Sequence, residues 1–195
     1  MKETILIFVL SCCCMSPFAF AAENSELNFQ TTEQGIIKSL TTENQVRKTR
    51  GAVKKTRGIV VVGLVNDKVT QQEIVVDVNA PPPSVNLKIE FDVNSAAIRT
   101  ESYPLLDQLG KALTSEKLKQ QAIVIKGHTD SDGTEAYNLN LSMDRAKAVK
   151  SFLVGRFAIS DSRLDVYGYG QSIPLVPDIN AANKQINRRV EIAVK

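Results

Sequence analysis

Two residues of opposite charge, Asp130 and Arg145, lie fifteen positions apart in a stretch whose pattern changes from turn to helix. Arg145 falls in line with apolar residues at helical spacing, which is a poor place for a cation without a partner. Asn138 precedes it by one heptad, so the three polar side chains are expected to converge near one end of the helix. A carboxylate and a guanidinium placed together in this way could bind the two charges of a zwitterionic ligand.

The same residues have an interpretation that needs no ligand. Asp130 and Arg145 could form an internal salt bridge that fixes the turn to the helix, and such pairs are common in proteins. Arg145 could instead extend its charged end to solvent along its aliphatic stem. The residues by themselves leave these alternatives open beside ligand binding.

The elements that must position these residues are a buried strand, a polar turn and one long helix. An apolar run rich in β-branched residues and ending at Ile125 predicts the strand. The glycines and short polar side chains that follow favour a turn. The helical pattern starts near Thr134 or Tyr137, with Thr134 or Asp132 as its expected N-cap, and it continues to Leu153.

Around this unit, expected strands and helices alternate along the C-terminal region. Strands are predicted over residues 85–91, 123–125, 165–169 and 190–194, and a second helix over residues 103–113. A loop with Pro174 and Pro177 separates the last two strands. This order predicts an α/β (α+β) fold, a two-layer sandwich in which helices pack on one face of a mixed β-sheet.

A series of short motifs follows in order along this region. They are Gly127-His-Thr-Asp130, Gly133, Tyr137-Asn138, Leu141-Ser142, Arg145-Ala146, Val149, Gly168-Tyr-Gly170 and Asn187-Arg-Arg-Val-Glu191. With these motifs, residues 85–195 resemble the OmpA-like C-terminal domain family. That family also includes the peptidoglycan-associated lipoproteins and the cell-wall domain of flagellar stator proteins. The resemblance implies an OmpA-like fold over residues 85–195.

The resemblance also implies a function, namely non-covalent binding of peptidoglycan through the diaminopimelate of its stem peptide. It implies that Asp130 contacts the ammonium group of diaminopimelate and that Arg145 contacts its carboxylate. The expected role is to anchor or link the Gram-negative outer envelope to the cell wall, and no cofactor is expected. Further residues match positions that line the family's groove: Asn138, Thr129, Leu141, Phe91, Asp92 and Arg188.

The first 22 residues are expected to be a signal peptide. Lys2 precedes an apolar run, and Ala19-Phe-Ala21 matches an A-x-A cleavage pattern. All three cysteines fall inside this segment, so the exported chain would have none. Cleavage before Cys12 is an alternative that would leave a lipid anchor there, but the apolar run before Cys12 is very short. The expected location is the periplasm, in association with the outer membrane and the cell wall.

Residues 23–80 are expected to form a flexible, basic N-terminal arm. The segment from Arg47 to Arg57 has six cations and no acid, and since the net charge of the chain is +3, the remainder sums to −3. Such a segment suggests contact with an outer-membrane protein or with anionic envelope lipid, or else a solvated arm. Nucleic acid is excluded as a partner, because an exported chain does not meet it.

The second half of this arm has strand-like patterns. Residues 58–65 and 73–78 are apolar and β-branched, and Asn66-Asp67 could be the turn of a β-hairpin. Three consecutive prolines then predict a stiff linker over residues 81–84. An alternative function follows, that of a structural or adhesive envelope subunit whose arm binds another envelope protein.

Catalysis has little support in the sequence, although a wall-active enzyme remains an alternative. His128 is the only histidine, and no cysteine would remain after export, so a zinc site lacks ligands. The chain also lacks the G-x-S-x-G motif of a serine nucleophile. When Gly133 is aligned with position six of a calcium loop, His128 and Leu139 take positions one and twelve, and neither suits calcium. The chain is therefore predicted to be neither an enzyme nor a metal-binding protein.

Overall fold

The structure is a computed structural model that describes residues 29–41, 56–65, 68–77 and 82–195. The expected signal peptide with Cys12, and most of the basic segment from Arg47 to Arg57, lie outside the described residues. The elements are α1 (Glu33–Thr41), β1 (Thr56–Val65), β2 (Lys68–Asp77), β3 (Ser84–Leu87), α2 (Tyr103–Thr114), β4 (Ile123–Gly127), α3 (Glu135–Phe157), β5 (Leu164–Gly168), α4 (Ala181–Asn187) and β6 (Val190–Val194), with short 3₁₀ turns at Thr100–Ser102 and Asp161–Arg163.

All the described strands belong to one mixed sheet, in the order β2-β1-β5-β4-β6-β3. β4 and β5 are parallel, and every other pair of neighbours is antiparallel. Parallel neighbours cannot be joined by a tight turn, and α3 provides the crossover between them. Each of these two central strands buries every second residue, as expected for strands that have helices on one face.

Helices α1, α2 and α3 form the second layer, so the predicted two-layer sandwich of the OmpA-like type is confirmed. Within the described residues, no helix has the length and apolar character needed to cross a membrane. The core lies between the two layers. Its largest fully buried side chains are Ile36, Leu87, Leu106, Leu109, Leu113, Leu118, Ile123, Ile125, Met143, Leu153, Leu164 and Ile192.

Two glycines allow α3 to lie directly on the sheet. A Cβ atom at Gly127 would be 2.0 Å from the backbone oxygen of Ser142, and one at Gly168 would be 2.6 Å from the backbone oxygen of Leu139. Any larger residue would push the helix away from the ends of β4 and β5. This close approach places the turn after β4 beside the first turns of α3.

Helix α1 lies in a segment for which the sequence predicted a flexible arm, so that prediction is wrong over Glu33–Thr41. Ile36, Ile37 and Leu40 are buried in the main core, and each contributes about 1.5–3 kcal/mol by leaving water. The backbone N–H of Glu33 also donates a 3.1 Å hydrogen bond to Gln108 of α2. A helix of nine residues is too short for its period to be recognised in the sequence. It is too short to be stable alone, and burial against α2 and β3 stabilises it.

Strands β1 and β2 are antiparallel neighbours, with Val65 opposite Lys68. The predicted turn residues Asn66-Asp67 and the linker residue Pro81 lie outside the described part of the chain. β1 joins the rest of the sheet through only three residues, Val62 to Leu64, which pair with β5. The division into an arm, a linker and a C-terminal domain otherwise stays a prediction.

Strand β3 is shorter than the predicted strand 85–91, and it ends at Leu87. Beyond it, Phe91 forms a single antiparallel bridge with Ile98, so the chain turns back on itself in a tight loop. Asn94 sits in this loop with a φ of 52°, a conformation that asparagine tolerates better than most residues. The loop places Phe91 and Asp92 opposite α3.

Helix α4 occupies part of the region that the sequence predicted to be a loop before β6. Its N-cap is Asn180, whose side-chain oxygen accepts a 2.8 Å hydrogen bond from the backbone N–H of Asn183. The helix has seven residues, and only Asn187 is buried, so no apolar period reveals it. It places Gln185 and Arg188 over the turn that follows β4.

Candidate functional site

The start of α3 is fixed by the turn chemistry that the sequence predicted. Gly133 has a φ of 95°, which favours glycine, and Thr134 is the N-cap. The hydroxyl of Thr134 accepts a 3.2 Å hydrogen bond from the backbone N–H of Tyr137. Of the two predicted caps, Thr134 is therefore confirmed and Asp132 is not.

Asn138 holds this turn against the helix. Its side-chain amide donates to the backbone oxygens of Asp130 and Asp132 at 3.3 and 2.9 Å, and to the side chain of Gln171 at 2.7 Å. Because Asn138 is buried, these bonds also satisfy its own polar group. The predicted convergence of Asn138 with Asp130 is thus an observed feature, and it orients the turn.

Arg145 is buried against the loop that follows β3. The residue has 7% of its surface exposed. Its Nε donates a 3.1 Å hydrogen bond to the backbone oxygen of Ser95, and its guanidinium carbon lies 5.0 Å from the ring centre of Phe91. Burial lowers the pKa of Arg145 below its usual value, and the nearby charge of Arg188 adds to this. The side chain is therefore held against this loop and does not extend along the protein surface, contrary to one of the alternatives above.

Asp130 is equally buried, but its ion pair is formed with Arg188 and not with Arg145. Nη1 of Arg188 pairs with Oδ2 of Asp130, while Oδ1 accepts a 3.2 Å hydrogen bond from the backbone N–H of Asp132. Among the described residues, Arg145 has no ion-pair partner, and Nε is its only nitrogen that donates a hydrogen bond. The direct Asp130–Arg145 salt bridge is therefore not formed.

Asp130 and Arg145 line the same cavity, which has a volume of about 430 Å³. The cavity lies between the first turns of α3, the loop after β3 and the C-terminal end of α4. All eight residues that the sequence singled out belong to its wall: Phe91, Asp92, Thr129, Asp130, Asn138, Leu141, Arg145 and Arg188. The structure thus brings them together around one space, and their roles toward a ligand stay a prediction.

Other residues of the wall were not selected from the sequence. Most belong to parts of the chain whose path the sequence did not predict, namely the tight loop after β3 and α4. The sequence pattern gave little indication of their position, because polar residues in loops have no periodicity from which their place in the fold could be predicted. These residues are Ile89, Glu90, Val93, Asn94, Arg99, His128, Asp132, Tyr137, Gln185 and Arg189.

A second group of charges, which is largely but not fully buried, lies beside the cavity around Glu191. One carboxylate oxygen of Glu191 is 2.8 Å from Nζ of Lys126, and the other is 3.4 Å from Nε2 of His128. Burial raises the pKa of Glu191, but the His128 ring and the Lys126 charge outweigh burial and hold the pKa below its usual range. Burial, helped by the charge of Arg189, lowers the pKa of His128 to about 4. His128 is therefore neutral at pH 7.

Neither ring nitrogen of His128 makes a well-directed hydrogen bond with a described residue, and the ring stacks on Tyr169 at 5.3 Å. In the part of the chain that the structure covers, no group of three or more His, Cys, Asp or Glu residues could hold a metal ion.

Comparison with known proteins gives a family match. The model of the OmpA family matches residues 90–188. Outer membrane porin F of Pseudomonas aeruginosa is 34% identical over 131 residues, which cover 65% of this chain and 37% of that protein. The peptidoglycan-associated lipoprotein of Mesorhizobium japonicum is 39% identical over 88 residues, which cover 45% of this chain and 51% of that protein. The chain spans between about a third and a half of the length of such relatives.

A solved structure gives a similar result for the fold. The crystal structure of a MotB-like protein from Desulfovibrio vulgaris superposes with a TM-score of 0.51 at 25% sequence identity. The superposition covers 57% of this chain and 72% of the other.

Proposed function

The chain belongs to the OmpA family, and on that premise we propose that it binds peptidoglycan non-covalently, through the diaminopimelate of the stem peptide. In this proposal Asp130 contacts the ammonium group and Arg145 contacts the carboxylate on the same carbon. Phe91, Asp92, Thr129, Asn138, Leu141 and Arg188 line the rest of the groove. The name of the Mesorhizobium japonicum relative, a peptidoglycan-associated lipoprotein, supports this ligand.

One observation supports the proposal most strongly. A carboxylate and a guanidinium, each with only 7% of its residue surface exposed, line one cavity without pairing with each other. Asp130 is paired with Arg188, whereas Arg145 has no acidic partner among the described residues. Burying an unpaired guanidinium costs free energy, so this arrangement is expected where a ligand supplies the missing carboxylate. A planar guanidinium can bind a carboxylate through two parallel hydrogen bonds, and a lysine cannot reproduce this geometry.

The expected affinity for one stem peptide is modest. Each charge-assisted hydrogen bond contributes about 1.5–3 kcal/mol net, and the cavity provides only a few such groups. Peptidoglycan, however, presents many stem peptides on one polymer. Rebinding and avidity would therefore keep the protein on the wall even when a single contact is short-lived.

The proposed setting is the cell envelope, where the protein would anchor or link the outer envelope to the wall. Export through residues 1–22 would place it in the periplasm, and an acylated Cys12 would instead tether it to the outer membrane. Mass spectrometry of the mature N-terminus distinguishes the two, because cleavage after Ala21 or Ala22 leaves an unmodified chain. Relatives named as outer-membrane proteins support this location.

Single substitutions of the two charged residues test the proposal. Asp130→Ala and Arg145→Ala should each abolish co-sedimentation with purified cell wall, since truncating one partner of a desolvated contact costs roughly 2–5 kcal/mol. Asp144→Ala and Arg156→Ala are matched controls on the same helix. Both control residues lie outside the cavity wall and form exposed ion pairs with Lys147 and Asp107.

Circular dichroism should stay near that of the parent protein in all four variants. If the two cavity variants sediment like the parent and the controls, the binding site lies elsewhere and the proposal is wrong. If both cavity variants unfold, the two residues have a structural role.

A second proposed function uses β1 and β2. Because β1 pairs with β5 over only three of its ten residues, the remainder of the two-stranded ladder extends beyond the sheet. Such a ladder could bind an outer-membrane protein, and the basic segment from Arg47 to Arg57 could contact anionic lipid. Shortening the ladder symmetrically, by deleting residues 56–58 and 75–77, should preserve wall binding and reduce recovery with envelope partners after cross-linking. Unchanged cross-linking would contradict this function.

A further inference from the structure

We propose that Arg188 is an internal competitor for Asp130, which a ligand must displace, and that it thereby makes the cavity selective for zwitterions over simple amines. This inference rests on the proposed function of the cavity and adds a specificity-determining residue to it. It concerns the state of the cavity before any ligand arrives.

Arg188 already occupies the contact with Asp130 that a ligand would need. Nη1 of Arg188 pairs with Oδ2 of Asp130, so a cation already occupies the position proposed for the ligand's ammonium group. The other oxygen of Asp130 accepts the backbone N–H of Asp132 at 3.2 Å. Both oxygens of the buried carboxylate are thus engaged, and an entering ammonium group has to replace Arg188 at Oδ2.

Arg188 is also placed so that it can move away from Asp130. Its side chain is 39% exposed, whereas that of Asp130 is 10% exposed, so Arg188 lies on the solvent side of the pair. Its other contact is with the side chain of Gln185, within the last turn of α4. Arg189, by contrast, is held in the interior, where Asn86 accepts a 3.0 Å hydrogen bond from its Nε. Of the two neighbouring arginines, only Arg188 has a path into water.

The charges around the cavity also favour a zwitterion. Burial lowers the pKa of Arg145, and the charge of Arg188 lowers it further, so Arg188 acts unfavourably on the nearby guanidinium. A simple amine that replaced Arg188 would put another cation in its place and leave Arg145 without a carboxylate. A zwitterion would replace Arg188 at Asp130 and also supply a carboxylate to Arg145. Displacement of Arg188 is therefore more favourable for a ligand that has both groups.

The test compares three variants of the full chain by isothermal titration calorimetry. Arg188→Gln removes the competitor, and Arg188→Lys keeps the charge but not the planar guanidinium. Lys184→Gln is the matched control, because it removes one charge from α4, next to Arg188, at a lysine that pairs with the other turn carboxylate, Asp132. The probes are the tripeptide L-alanyl-γ-D-glutamyl-meso-diaminopimelate and its analogue with L-lysine in place of diaminopimelate.

Removal of the competitor should strengthen binding of the diaminopimelate tripeptide about three- to tenfold in Arg188→Gln, which corresponds to loss of one partly exposed ion pair. Arg188→Lys should be intermediate, and Lys184→Gln should match the parent. The lysine analogue should bind measurably only to Arg188→Gln.

Weaker tripeptide binding in Arg188→Gln would overturn the inference, since Arg188 would then be a ligand contact, and the proposed function would stand. An equal change in Lys184→Gln would overturn it too, because the effect would be one of general charge. If neither the parent nor any variant binds the tripeptide, the proposed function fails and the inference with it. Circular dichroism of each variant confirms that the fold is retained.

Discussion

Two neighbouring groups of buried charges differ in how they are neutralised. Around Glu191, one carboxylate oxygen faces Lys126 at 2.8 Å and the other faces His128 at 3.4 Å. In this Glu191 group (Lys126, His128 and Glu191), both carboxylate oxygens therefore have a partner within the protein. In the cavity, Asp130 pairs with a half-exposed arginine, and Arg145 has no acidic partner among the described residues. The Glu191 carboxylate thus has its partners within the protein, whereas Arg145 lacks an acidic partner in the described part of the chain, as its proposed role in ligand binding requires.

The largest expected effect on stability comes from removing the carboxylate of the Glu191 group. Glu191→Gln leaves Lys126 without its carboxylate partner, and removing one member of a largely buried ion pair costs about 3–5 kcal/mol. The free energy of unfolding, measured by urea denaturation, should fall by that amount. Glu116→Gln is the control, since Glu116 forms an exposed pair with Lys119 and should change stability by less than about 1 kcal/mol. Equal effects of the two substitutions would contradict the structural role of Glu191.

The second effect is a dependence of the unfolding free energy on pH, which arises from His128 in the Glu191 group. His128 has its pKa lowered from 6.5 to about 4 by burial, so between these values the unfolded chain binds a proton that the folded chain does not. The stability contributed by neutral His128 is complete above about pH 6.5, and it falls as the pH drops toward 4. Between pH 7.5 and pH 5 the loss should be about 2 kcal/mol.

His128→Asn separates this effect from the others, because His128 is the only histidine of the chain. The variant should show a much flatter dependence of unfolding free energy on pH over the same window. A slope equal to that of the parent protein would mean that His128 becomes protonated as readily in the folded state as in the unfolded chain.

The smallest effect on stability is expected from Arg145, in the cavity. Arg145→Gln removes a guanidinium whose charge is disfavoured by burial, so the unfolding free energy should change by no more than about 1 kcal/mol. Wall binding, in contrast, should be lost. A destabilisation as large as that of Glu191→Gln would show that Arg145 stabilises the fold. The proposed difference between the Glu191 group and the cavity charges would then be wrong.

The sequence predicted the layers of the fold because their residues alternate or recur with clear periods. Residues 103–113 became α2 with one residue added, and the buried run ending at Ile125 became β4. α3 begins at the cap that its turn residues indicated. These elements are specified by local patterns, and burial of the same apolar faces then fixes their packing.

Other parts of the molecule could not be derived from local patterns. α1 has three buried apolar residues in an otherwise polar segment, and its stability depends on contact with α2 and β3. α4 buries no apolar residue. The pairing of Asp130 with Arg188 joins residues 58 positions apart, and it depends on where α4 ends. Candidate residues could be named from the sequence, but their partners required the tertiary structure.

The central claim is that Asp130 and Arg145 together recognise an ammonium and a carboxylate on one carbon. Lysine and diaminopimelate differ at that carbon by the carboxylate alone, so calorimetry of the full chain with the two tripeptides tests the claim directly. The account predicts that the diaminopimelate tripeptide binds, and that the lysine tripeptide binds at least about 30-fold more weakly, the loss of roughly 2 kcal/mol expected for one desolvated contact. Equal affinity for the two peptides would contradict the account.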